Sequence, residues 1–238
     1  MDLSTVRFGE GCHSPTVAPT GERDMCIMEA VAYMANEPWS DTPACASPVI
    51  ASFLRRWNDA LSDEDRDRLL PASVWVPRLV GSRGDEATEE RRAYLALDWL
   101  IRVHTPAWLD LVPSLAPHAA ALRALPGVLD MASAQGAGSV VVAARDAAGA
   151  AAGDAAGTAA GDAAWDAAWA AAWAAAGAAA GAAAGDAAGD AARTAARTAA
   201  RTAAVDSLRP TVETLQQSVV DLLDRMLACG EHRREEEK

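Results

Sequence analysis

Five residues between positions 26 and 45 have side chains that could bind a ligand or take part in catalysis. The sequence reads CIMEAVAY at 26–33 and EPWSDTPAC at 37–45. Two carboxylates in one site could act as general acid and general base, and thiolates are ligands for zinc. This pattern predicts a small catalytic or ligand-binding site. Its candidate residues are Cys26, Glu29, Trp39, Asp41 and Cys45.

Zinc is the metal that sulfur and nitrogen donors from this part of the chain would bind. His13, Cys26 and Cys45 could supply those donors, but their spacing does not match the short-loop zinc motifs. Free cysteines are also often buried as small apolar side chains. We therefore expect no bound metal and no other cofactor. We expect Glu29 to hydrogen-bond the backbone of the loop at 39–41.

Common motifs of catalysis are absent from the sequence. There is no G-x-S-x-G for a nucleophilic serine, and no glycine-rich loop of the kinds that bind phosphates. His104 follows an apolar run, where a histidine more often caps a helix or packs in a core than binds a ligand. An enzyme is therefore the alternative interpretation of this chain.

Helices are predicted to position these residues. Apolar periodicity and capping residues predict a first helix from about Asp24 to Asn36 and a second from Ser47 to Ala60. Ser62 should cap a short helix whose charged residues face solvent. The apolar run at 89–104 is expected to be the central buried helix. Pro210 should open an amphipathic C-terminal helix.

Residues 146–205 consist of fifteen four-residue units, each with Ala at its two middle positions. Ala favours helix more than any other residue. Eight of the units end in Gly, which allows another backbone to approach closely. Trp165, Trp169 and Trp173 fall within one stripe of such a helix and form a Trp ridge. The pattern predicts a docking surface.

The charges in these units leave two arrangements open. Acidic residues come first and arginines last, an order that suits the dipole of one long helix. In a hairpin that folds back near Gly177, Asp154 would lie level with Arg201, and Asp162 with Arg193. We favour the hairpin, with an extended oligomeric rod as the alternative.

The stretch at 26–45 resembles a family of uncharacterised proteins from actinobacteria and their phages. In that family a domain of this kind precedes an Ala/Trp/Gly-rich helical tail. The resemblance covers residues 24 to 130 and, more loosely, the tail. The composition of the tail is also similar to that of proteins labelled as immunity proteins. The resemblance implies a helical domain with a helical tail and implies no activity.

Composition excludes several classes of function. A net charge of −12 argues against a nucleic-acid-binding protein, which needs a basic surface. The N-terminus lacks a basic stretch followed by an apolar run, and four widely spaced cysteines suit free thiols. The tetrads are too weakly apolar to span a membrane, and Asp166 lies among them. We therefore expect a cytoplasmic protein with no membrane and no nucleic-acid partner.

These observations predict an all-α protein. We interpret it as a non-enzymatic helical interaction or assembly module that binds a protein partner or a second copy of itself. The alternative is a small enzyme or ligand binder. The domain at 25–132 is expected to fold without the tail. The predicted regions are an irregular arm (1–24), a helical N-terminal domain (25–132), an Ala-rich tetrad-repeat helical segment (133–207), a C-terminal amphipathic helix (208–230) and a charged tail (231–238).

Overall fold

The computed structural model describes residues 1–14, 19–151 and 207–230. Within these residues the protein is all-α, as predicted, and contains no β-strand; Arg7 and Glu22 form an isolated parallel bridge. The chain divides into two compact units. Unit 1 comprises Met1–Val103, Pro126–Gly136 and Gln216–Lys238, and unit 2 comprises His104–Leu125 and Ala137–Leu215.

Helices account for most of the described residues. They are α1 (Ile27–Met34), α2 (Pro48–Ala60), α3 (Asp63–Leu69), α4 (Ala72–Leu79), α5 (Glu86–Trp99), a π-helical turn (Leu100–His104), α6 (Thr105–Leu109), a short 3-10 turn (Pro113–Leu115), α7 (Ala116–Arg123), α8 (residues 131–151) and a C-terminal helix (residues 207–230).

Side-chain caps fix where several helices begin. The Ser47 hydroxyl accepts a hydrogen bond from the Ile50 N–H, and the Ser62 hydroxyl accepts one from the Asp65 N–H, which confirms the predicted starts of α2 and α3. Two other starts were predicted incorrectly. α1 begins after Cys26, while Asp24 bonds the backbone of the preceding turn. α5 begins after Asp85, whose carboxylate caps the Thr88 N–H.

The central helix of unit 1 is α1, and it packs against α2 and α4. Every residue from Ile27 to Ala32 is at most 1% exposed. The run at 89–104 is not the central helix that the sequence suggested, because Leu100 and Val103 are exposed and much of α5 is only half-buried. The buried side of α5 carries polar residues, among them Arg92 and Asp98.

The C-terminal helix completes the core of unit 1. Its buried stripe includes Leu222, Leu223 and Met226, as the periodicity predicted, and these residues belong to the same apolar cluster as α1. Val6 and Phe8 of the irregular arm lie in that cluster as well. Part of the core of unit 1 therefore comes from both chain ends.

Two buried arginines bind backbone carbonyl groups within unit 1. Arg66 donates to the carbonyls of Asn58 (2.9 Å) and Leu61 (2.7 Å). Arg92 donates to the carbonyls of Met226 (2.8 Å) and Ser82 (2.8 Å). Each arginine is 1% exposed, so the prediction that the charges of α3 all face solvent is wrong for Arg66.

Unit 2 has a core of leucines and alanines. α6 packs against α7, and Leu109, Ala119 and Leu122 are buried. α8 buries Ala137 and Ala144, which are seven residues apart and so lie on one face of the helix. α8 includes the first tetrad, 146–149. No helix in the described ranges is both long and apolar enough to cross a membrane.

Candidate functional site

Glu29 organises the candidate site at the start of α1. Cys26 is the N-cap residue, and Glu29 occupies the third helical position. A carboxylate at this position can reach back to the backbone N–H of the cap residue, which has no partner inside the helix. The Cys26 N–H donates to Glu29 Oε2 at 2.7 Å. Glu29 is only 1% exposed, and this bond accounts for part of its stabilisation.

His13 supplies the other partners of Glu29. Its N–H donates to Glu29 Oε1 at 2.6 Å, and its Nδ1 lies 2.9 Å from Glu29 Oε2. The expectation that Glu29 would bond the loop at 39–41 was therefore wrong. The arm residue His13 lies between them, and the Trp39 indole N–H donates to the His13 carbonyl oxygen at 2.7 Å.

The contacts of Asp41 and Cys45 are with other parts of unit 1. Asp41 pairs with Arg55 at 3.3 Å. The Cys45 thiol is half-buried next to Glu37, and desolvation, together with that carboxylate, raises its pKa. Of the five candidates, the hydrogen bonds thus connect Cys26, Glu29 and Trp39 in one cluster through His13.

The environment of Cys26 does not favour nucleophilic chemistry. Burial in the apolar core raises its pKa to about 12, and the neighbouring Glu29 carboxylate acts in the same direction. The thiol is therefore protonated at neutral pH, whereas catalysis and metal binding both require the thiolate. Across the ranges that the structure describes, no three His, Cys, Asp or Glu side chains form a group that could hold a metal ion. His13, Cys26 and Cys45 are not such a group.

The predicted docking residues Trp165, Trp169 and Trp173 lie outside the described residues. The structure does describe the stretches of chain before and after this segment. The Val128 N–H donates to Asp98 Oδ1 at 2.9 Å, and the Trp99 indole N–H donates to Ser218 Oγ at 2.9 Å. Two consecutive residues of α5 therefore hold the points where the chain leaves unit 1 and returns to it.

His104 has the packing role expected from the sequence. Its Nε2 accepts a hydrogen bond from the Trp108 indole N–H at 3.2 Å, and the two rings meet edge to face. Burial lowers the pKa of His104, which favours the neutral imidazole that can accept this bond.

Two arginines of unit 1 with polar roles were missed in the sequence. Arg66 was interpreted as a solvent-facing charge and Arg92 as a member of an apolar helix, yet each is buried and bonded. The one local signal is their position, since they fall on the same helix faces as core residues.

Comparison of the chain with protein-family models, with curated proteins and with solved structures shows no match.

Proposed function

We propose that the protein is a non-enzymatic helical interaction or assembly module, and that the tetrad segment carries its docking surface. The observation that supports this most strongly is the pair of anchors on α5. Asp98 holds Val128, and Trp99 holds Ser218, so the chain between them starts and finishes at one place in unit 1. Unit 1 has the properties of a platform that holds a segment by both ends.

The two anchors also bear on the arrangement of the segment. One straight helix over residues 146–205 would carry the chain about 90 Å from its starting point. The chain has to return to Ser218, whose position is fixed by its hydrogen bond with Trp99. Within this proposal we therefore favour the hairpin over the rod.

Small-residue packing in unit 2 is consistent with this role. α8 buries Ala137 and Ala144, which shows that methyl groups are enough to bury one face of this helix. The same segment contains tetrads that end in Trp and tetrads that end in Gly. The Trp side chains of one copy could pack on the Gly positions of another, where a backbone can approach closely. We therefore take a second copy of this chain as the first partner to test.

The alternative, a small enzyme with its site around Cys26, Glu29, Asp41 and Cys45, has less support. The Cys26 thiol has a pKa of about 12, Glu29 is fully engaged by backbone and imidazole donors, and Asp41 is paired with Arg55. A cytoplasmic location is part of the proposal, because the four cysteines are free thiols and a reducing compartment keeps thiols reduced.

The test is the molar mass of the full chain by light scattering after size-exclusion chromatography. The parent chain should have the mass of a dimer or higher oligomer. A W165A/W169A/W173A variant should have the mass of a monomer and keep its helical circular dichroism. The matched control is T194A/T198A/T202A, which changes three residues of the same segment and no Trp. It should keep the parent's mass.

A monomeric parent whose tryptophans are strongly quenched by acrylamide would contradict the proposal, because the Trp ridge would then be exposed to solvent and not packed against a partner. An unchanged mass in the Trp variant would contradict it as well.

A further inference from the structure

His104 and Trp108 form a hydrogen-bonded pair in unit 2. His104 ends the π-helical turn, and Trp108 follows four residues later in α6, so the two side chains are neighbours on one helix face. The Trp108 indole N–H donates to His104 Nε2 at 3.2 Å, and the ring centroids lie 6.3 Å apart. The one polar atom of the Trp108 side chain is therefore bonded to an imidazole nitrogen.

This hydrogen bond requires a neutral imidazole. An indole nitrogen can only donate, so Nε2 has to offer a lone pair, and the ring proton of neutral His104 is then on Nδ1. In the imidazolium form both ring nitrogens carry protons. Protonation therefore turns the acceptor into a donor that faces the donor of Trp108, and the bond is lost.

The pair lies at a part of the chain where its loss affects packing. π-helical turns are rare and are often found at functional sites, and this one ends at the imidazole. Trp108 belongs to α6, in which Pro106 and Leu109 are buried and which packs against α7. A change in how Trp108 is held therefore bears on the packing of α6.

We propose that His104 and Trp108 form an acid-sensitive switch, in which protonation of the imidazole releases the Trp108 indole and weakens the packing of α6 in unit 2. The proton comes from the solvent and binds Nε2, and no covalent bond of the protein breaks. Trp108 is half-buried, so water can accept the hydrogen bond of the released indole.

The direction of the response follows from the burial of His104. Burial lowers the pKa of the imidazole, so the folded chain keeps the ring neutral at pH values where the unfolded chain already binds a proton. The stability that depends on the neutral ring is complete above about pH 6.5, the ordinary pKa of a histidine. It is lost as the pH falls from there towards the lower pKa of the folded state. The switch is therefore closed at neutral pH and opens in acid.

The neighbouring charged groups are carboxylates and arginines, which ordinarily titrate near pH 4 and above pH 12. In the π-helical turn and the described part of unit 2 they are Arg102, Asp110, Arg123, Arg145, Asp146, Arg209 and Glu213. Asp110 pairs with Arg123. His118 on α7 is the second histidine in this part of the chain, so the experiment needs a control for it.

The experiment uses the full chain and follows by NMR the indole N–H resonances of ¹⁵N-labelled tryptophan from about pH 7.5 to about pH 5. The Trp108 resonance is assigned by its absence in Trp108→Phe. It should move with the same midpoint as the ring protons of His104, below about pH 6.5. Trp75 is the internal control and should stay in place, because its indole donates to the backbone carbonyl of Leu69. A Trp108 resonance that does not move in this range would overturn the proposal.

His104→Gln separates the switch from other effects of pH, because Gln offers an oxygen acceptor that does not titrate. In this variant the Trp108 resonance should be independent of pH, and the fall in melting temperature between the two pH values should be smaller than in the parent. His118→Gln is the matched control and should leave the Trp108 titration unchanged.

A Trp108 titration that persists in His104→Gln, or one that disappears in His118→Gln, would contradict the proposal. An equal fall in melting temperature in His104→Gln and the parent would contradict the effect on α6. If His104→Gln is unfolded by circular dichroism, the parent and His118→Gln titrations decide the matter, with Trp75 as their reference.

Discussion

The two units of the protein are packed in different ways. Unit 1 combines large apolar side chains with buried arginines that bond to the backbone of distant segments, such as Arg92 to Met226. Unit 2 buries leucines such as Leu122 together with Ala119, Ala137 and Ala144, and it buries no arginine among its described residues. A guanidinium bonded to two carbonyls has one acceptable position, whereas methyl groups on an Ala-rich helix pack in many registers. Unit 1 is therefore suited to hold chain ends in place, and an Ala-rich helix is suited to present a surface.

The largest expected effect follows from the position of the C-terminal helix in the core of unit 1. A chain that ends at residue 206 lacks Leu222, Leu223 and Met226, each worth about 2 to 5 kcal/mol when truncated in a core. Their sum is comparable with the whole stability of a typical domain, about 5 to 15 kcal/mol. We therefore expect a broad, non-cooperative thermal transition.

The control for this truncation is a chain that ends at residue 230, which keeps the C-terminal helix and loses only the charged tail. It should melt cooperatively, close to the parent. Cooperative melting of the shorter chain near the parent's temperature would show that the first 206 residues contain a complete core.

The next effect concerns a single buried charge. Arg92→Met removes the donors to the carbonyls of Met226 and Ser82 and leaves Glu89 without its ion pair. Loss of one partner from a buried ionic network costs about 3 kcal/mol or more. Urea denaturation should therefore show a large fall in the free energy of unfolding.

Arg91→Met is the matched control, because Arg91 is the exposed neighbour of Arg92 and bonds only weakly to Thr88. It should lower stability by less than about 0.5 kcal/mol, as surface substitutions usually do. Equal losses in the two variants would mean that burial of Arg92 is not what makes it important.

The smallest effect compares one glycine in each unit. A Cβ at Gly84 would lie 2.6 Å from Thr88 Cγ2, so Gly84→Ala should destabilise unit 1 by about 1 to 3 kcal/mol. A Cβ at Gly149 meets nothing within 4 Å in the described part of the chain. Gly149→Ala should therefore raise stability by up to about 1 kcal/mol through helix propensity. Thermal melting of both variants gives the two signs, and a loss of stability in Gly149→Ala would point to close packing at the first tetrad.

Local sequence signals predicted most of the helices. Ser47 before Pro48, and Ser62 before an acidic turn, gave the starts of α2 and α3 because a cap bonds groups within three residues. The amphipathic stripe of the C-terminal helix was predicted from its apolar periodicity, which is also a local signal. The start of α5 was not predicted, because its cap, Asp85, precedes the apolar run at 89–104 by four residues.

The candidate site was predicted only in part, because its key bonds are long-range. Cys26, Glu29 and Trp39 do lie in one cluster, but the residue that connects them, His13, was considered only as a metal ligand. Arg92 and Met226 are 134 positions apart in the chain. No periodicity or spacing near Arg92 encodes a partner at that distance, so its burial follows only from the tertiary structure.

The central claim is that unit 1 holds the segment by both ends at one turn of α5, and a distance measurement tests it most directly. Leu129 and Gln217 are exposed and lie next to the two anchored residues. Spin labels can be attached at L129C and Q217C after replacement of the accessible Cys12, Cys45 and Cys229 by Ser. Double electron–electron resonance then gives the separation of the two labels in the full chain.

We predict a narrow distribution on the order of 20 Å, because the anchors are consecutive residues with Cα atoms 3.8 Å apart. A broad distribution, or one centred near the roughly 90 Å length of a straight helix over the tetrads, would contradict the account.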